Sequence, residues 1–123
     1  AQRTNGTVYL ARDQDYPPPF TLVMIHAIFK KGGEVVYEGT TYAGTIGLST
    51  AMTHRGHNRW AVSINARGYP LHGTEQGLHR AVESARNGGA ILPIFTRMAC
   101  DRTAAYPEAR DFFATAPLIM PAY

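Results

Sequence analysis

The chain has 123 residues, 45% hydrophobic and 17% charged, which excludes a disordered polyelectrolyte and allows one domain with its own core. Its formal charge of +3 is spread thinly, with no long Lys/Arg block, so nucleic-acid binding has no electrostatic footprint. One cysteine leaves no internal disulfide, and no apolar run reaches the ~18 residues of a membrane span.

The first half reads as strands. Asn5-Gly6 is a turn, and Thr7 to Arg12 is β-branched and aromatic-rich. Asn5-Gly6-Thr7 is also an N-glycosylation sequon, meaningful only in a secreted chain. Pro17-Pro18-Pro19 breaks regular structure. Thr21 to Phe29 is a long apolar run, too β-branched to favour a helix. Lys30 to Gly33 is the turn of a hairpin whose second arm starts with the alternating Glu34 to Glu38. Gly39 to Gly47, rich in Gly and Thr, suggests strand with tight bends. Thr53 to Arg59 is a polar loop, Trp60 to Asn65 another strand, and Arg67 to Gly73 a second loop.

The second half turns helical. Thr74 is an N-cap for a helix to Arg86 with Leu78, Ala81, Val82 and Ala85 on one face, and Asn87-Gly88-Gly89 ends it. A second helix runs from Leu92 to Cys100 with Pro93 in its first turn, and Cys100 is expected as a buried small hydrophobe. Asp101 or Thr103 is the expected cap of a third, through Tyr106 to Ala114. Pro117 to Met120 then begins a strand. Strands first and helices after make an α+β chain of one domain over residues 1–123.

The generic chemical motifs are absent. There is no G-x-S-x-G elbow and no phosphate-binding P-loop. His54 and His57 lie in a polar loop without companion ligands, so they read as surface histidines and no metal or other cofactor is expected.

Ala11-Arg12-Asp13-Gln14-Asp15-Tyr16-Pro17, taken alone, is a strand end with an Arg and an acid three residues apart. Three blocks give it more meaning. Ala1 to Pro17 resembles the start of the catalytic subunit of the acid ceramidase and N-acylethanolamine acid amidase family. Gly39-Thr40-Thr41-Tyr42-Ala43-Gly44-Thr45-Ile46-Gly47-Leu48-Ser49-Thr50 resembles that family's glycine block. Ala61 to Arg67 resembles its strand ending in Asn-Glu-Arg. The helical tail, with Pro93 and Thr115 to Ile119, is similar to the region that follows.

The resemblance covers the front half or so of the family's subunit and implies part of an αββα sandwich. It implies an N-terminal cysteine nucleophile, whose α-amine is the general base, a few residues before Ala1. Arg12 matches the arginine beside that nucleophile, where a fixed cation lowers a thiol pKa. Asp15 matches the aspartate that holds the α-amine. Asn65 matches the residue before a site glutamate, which Ala66 replaces here. Asp13 replaces the usual Asn. Tyr16, Phe20, Tyr42 and Ile46 are the acyl-groove candidates.

The implied reaction is hydrolysis of a lipid amide, an N-acylethanolamine or a ceramide, in a lysosomal or secreted protein. The other reading is an inactive relative used for binding or assembly, which Ala66 favours. A chain opening at Ala1 suits a processed product or a piece of a longer one. Half a sandwich leaves sheet edges unpaired. The expected partner is therefore the remainder of the chain, a propeptide-derived subunit, or copies of itself.

Overall fold

The computed structural model describes residues 2–4, 7–12, 19–54, 59–65 and 74–119. Asn5, Asp13, Asp15, Tyr16, His57 and Ala66 lie outside the described residues.

Two short strands, β1 (Gln2–Thr4) and β2 (Thr7–Tyr9), pair as an antiparallel hairpin. The larger sheet is an antiparallel meander of β3 (Met24–Lys31), β4 (Glu34–Tyr42), β5 (Thr50–Thr53) and β6 (Ala61–Ser63), in that order. The apolar run before β3 divides. Phe20–Val23 forms a 3-10 turn, and the strand starts at Met24. Lys30 and Lys31 belong to β3, leaving Gly32 (φ 61°) and Gly33 (φ 87°) as the two-residue hairpin turn. Positive φ at both positions is what a turn matching the strand twist requires.

Three helices follow: α1 (Glu75–Arg86), α2 (Leu92–Arg102) and α3 (Tyr106–Ala114). Thr74 caps α1 by accepting the Gly77 N–H at 3.1 Å, as its sequence predicts. Leu78 and Val82 of α1 are nevertheless exposed, at 67% and 42%, so the apolar face does not turn inward among the described residues. The expected caps of α3 are not used. The Thr103 hydroxyl donates to the Ala99 carbonyl within α2, and Asp101 accepts from Tyr37. Instead, Glu108 reaches back to take the Ala104 N–H at 2.8 Å. The expected strand at Pro117 is an isolated parallel bridge, Ala90 to Leu118.

The core lies between the sheet and α2–α3. Tyr37, Leu48, Ala51, Trp60, Ala99, Cys100 and Ala109 are buried together, and Cys100 is the small buried hydrophobe its sequence implied. Along β4 burial alternates: Tyr37, Gly39 and Thr41 face the helices, while Glu38, Thr40 and Tyr42 stay half-exposed on the other face. That period of two is the expected signature of a sheet covered on one side.

Candidate functional site

The site is built on the segment that joins β4 to β5. Gly39 lets the two strands meet: a Cβ there would lie 2.0 Å from the Thr50 carbonyl oxygen. After Tyr42 the chain turns at Gly44, whose φ of +86° suits glycine. Thr41 Oγ1 then donates to the Gly47 carbonyl at 2.7 Å. Gly47 lies flat on Pro93, where a Cβ would approach to 2.5 Å. The Leu48 N–H donates to the Pro93 carbonyl at 2.9 Å, and the Ser49 N–H to the Thr40 carbonyl at 2.9 Å. Ser49 is thereby held from both β4 and α2.

The Ser49 carbonyl is the junction. It accepts Arg12 Nη1 at 3.1 Å and the Ile64 N–H at 3.2 Å. Arg12, which follows the β1–β2 hairpin, is thus pinned to the large sheet where β6 ends. Asn65 is the next residue after Ile64 and is exposed. The structure therefore brings Arg12 and the backbone beside Asn65 to one oxygen. Arg12 is half-buried, and its Nε is buried with no hydrogen-bond partner among the described residues. An unanswered buried N–H costs about 1–3 kcal/mol.

Of the acyl-groove candidates, Phe20 and Tyr42 meet edge to face, with centroids 6.1 Å apart. Ile46 is exposed at 67%, and its carbonyl is held from the other side by Arg97 Nη1 at 3.0 Å. Asp15 and Tyr16 are outside the described residues.

Two features had no sequence signal. One is the Ser49 carbonyl, a backbone atom. The other is a cluster on the half-exposed face, where Glu38 takes His26 Nε2 on one oxygen at 3.2 Å and His54 Nε2 on the other at 3.0 Å. Burial acts to raise the Glu38 carboxyl, but the hydrogen bonds and charge interactions with His54 and His26 together outweigh it and hold the group below its ordinary value. His54 is therefore half-buried and partnered, a correction to its reading as a plain surface histidine. Among the described residues no group of three His, Cys, Asp or Glu is placed to hold a metal.

The described residues thus form a four-stranded antiparallel sheet followed by three helices, with Arg12 pinned between the hairpin and that sheet. No family model matches the chain, and no curated protein matches it. Among solved structures, the Caenorhabditis elegans N-acylethanolamine-hydrolyzing acid amidase ortholog matches with TM-score 0.73 and 26% identity, over 91% of this chain and 45% of that one. This chain thus spans less than half the length of that amidase. In fold and in sequence it resembles the acid amidase and acid ceramidase family, and its α+β order, strands first, is the same. No helix among the described residues is long and apolar enough to cross a membrane.

Proposed function

We propose that this chain is the front part of an N-terminal-nucleophile hydrolase that cleaves a linear lipid amide, an N-acylethanolamine or a ceramide. The observation that carries the reading is the setting of Arg12. Its guanidinium is half-buried and fixed on the Ser49 carbonyl, and its Nε has no partner among the described residues. A buried cationic donor without a partner among the described residues calls for an explanation, and an anion beside it supplies one.

In this reading the anion is the thiolate of an N-terminal cysteine upstream of Ala1. Its own α-amine takes the thiol proton, and Arg12 stabilises the thiolate. Asp15 accepts a hydrogen bond from that amine and orients it. Asn65, at the end of β6, contributes a polar group to the same strand end. The thiolate attacks the amide carbonyl, the C–N bond breaks, and the amine leaves with a proton. Water then hydrolyses the acyl thioester and releases the fatty acid. Tyr16, Phe20, Tyr42 and Ile46 line the acyl path. The protein is of lysosomal type, N-glycosylated at Asn5, and completed by the remainder of its chain.

The test is intact mass and N-terminal sequencing of the native protein, followed by hydrolysis of an N-acylethanolamine and a ceramide. A terminal cysteine, with turnover abolished by Arg12→Ala and partly kept by Arg12→Lys, supports the reading. Another residue at that position, or full turnover in Arg12→Ala, overturns it. Ala66 favours a second reading, an inactive relative. That protein would be folded, show no turnover, and give a thiol-directed probe nothing to label at its N-terminus.

A further inference from the structure

A cavity of about 410 Å³ opens between the β3–β4 hairpin and α2. Lys30, Lys31, Arg97 and Asp101 line it, over the stacked rings of Phe29 and Tyr37, 4.4 Å apart. Among the described residues, three cations therefore face one carboxylate. Asp101 is already engaged, since the Tyr37 hydroxyl donates to it at 2.9 Å. Arg97 is held in place by the Phe29 ring, 5.1 Å below its Cζ, and by the Ile46 carbonyl. Among the described residues, no carboxylate lies within ion-pair distance of Lys30, Lys31 or Arg97. Glu34 stands opposite Lys31 in the ladder without forming such a pair.

Successive strand residues point to opposite faces. Here the register shifts, with Phe29 opposite Tyr37 but Lys30 opposite Val35. The extra residue is Val36 of β4, and a bulge re-aims a side chain of the strand that carries it, so consecutive Val36 and Tyr37 both line the cavity. The volume falls in the range of small-ligand sites, about 300–1,000 Å³.

We infer that this cavity binds a phosphate-type dianion carried by a small soluble molecule. Lysines act as phosphate-binding point charges, and a positioned arginine supplies directed donors. Two lysines with Arg97 exceed what a single carboxylate needs and match a dianion. The inference is independent of the amidase reading, because none of these residues belongs to the Arg12 site.

The experiment titrates the full-length protein with inorganic phosphate and pyrophosphate by calorimetry, with chloride and acetate as controls. Binding should saturate and weaken as salt rises. It should fall about tenfold for each lysine removed, the effect of one charge-assisted hydrogen bond, in Lys30→Ala and in the Lys30→Ala/Lys31→Ala pair. Lys30→Arg/Lys31→Arg should retain it. Unchanged melting of the alanine variants, whose side chains lie outside the core, shows that folding is intact. No saturable phosphate binding overturns the inference, as does equal binding by the double alanine variant. Binding only to vesicles of phosphatidic acid, with none to phosphate, would also overturn it and assign the patch to a membrane surface.

Discussion

Gly39→Ala tests how tightly the sheet holds the site. The new Cβ would lie 2.0 Å from the Thr50 carbonyl oxygen, 3.1 Å from its carbonyl carbon and 3.2 Å from Ala51 Cα. Ordinary contact begins at 3.4 Å, so the oxygen would need to move by more than about 1 Å. No rotamer change relieves this, because the obstacle is backbone in a ladder pairing Gly39 with Ala51 and Thr40 with Thr50. Overpacking costs about 1–3 kcal/mol, and a rigid obstacle sets the expectation near 3 kcal/mol. Thr50 follows Ser49, so the shift also moves the oxygen that anchors Arg12. A misplacement of about 1 Å costs on the order of a hundredfold in rate. The assay is urea unfolding followed by fluorescence of Trp60, the single and buried tryptophan. Gly44→Ala is the control, with φ +86° and nothing within 4 Å of the new Cβ. It should lose only the left-handed backbone term of about 1–2 kcal/mol. If Gly39→Ala is as stable as Gly44→Ala, the close approach does not govern this sheet.

Tyr37→Phe should lose about 1.5–3 kcal/mol in the same assay, since it removes a hydrogen bond to a charged acceptor while keeping the ring stack. Burial, and then the bond to Asp101, push Tyr37 up to about 12, so that loss should be constant up to pH 10. Glu38 should give acid sensitivity. Its folded carboxyl lies below the ordinary 4.5, so its stabilisation is complete above that pH and lost as pH falls through the lowered value. Melting from pH 7 to 3 should therefore drop more steeply for the wild type than for Glu38→Gln. Under the proposed function, Ile46→Ala should reduce kcat/KM for a long acyl chain about tenfold relative to a short one, because its exposed side chain would contact the chain's far methylenes. Equal loss for both lengths would place Ile46 outside the acyl path.

The parts of this fold that were legible in the sequence are those set by local chemistry. Gly32-Gly33 marks its turn because few other residues accept positive φ at two successive positions. Thr74 marks the start of α1 because its hydroxyl can answer an orphan N–H. Local chemistry failed where a neighbour distant in sequence decided the outcome. Asp101 was a plausible cap for α3, but Tyr37, 64 positions away, competes for it. The run before β3 looked uniformly extended, yet the Pro19 carbonyl accepts the Leu22 N–H and begins a 3-10 turn instead. Likewise, His26, Glu38 and His54 become one cluster only once the register of three strands is fixed, and residue types alone do not fix it.

Arg12 was legible as a residue of interest, but the atom that positions it was not, because every side chain leaves the same carbonyl on its backbone. The glycine block explains how that carbonyl is specified nonetheless. Gly39 admits β5 to β4, Gly44 turns the chain back, and Gly47 presses it against Pro93. None of the three contributes a functional group. Each removes a Cβ from a place where another segment, or a left-handed backbone, must be accommodated, and together they bring Ser49 to the end of β6. The Ser49 oxygen then receives one N–H from Ile64 of the sheet and one from Arg12 beyond the hairpin. A slip of β5 by one residue against β4 would turn Ala51 and Thr53 outward and move this oxygen by about 3.3 Å, the rise of one strand residue. The arginine would then lose its anchor while every chemically distinctive side chain remained in the sequence. The most specific part of the family resemblance is therefore a set of steric permissions, and the charge they position is its chemical consequence.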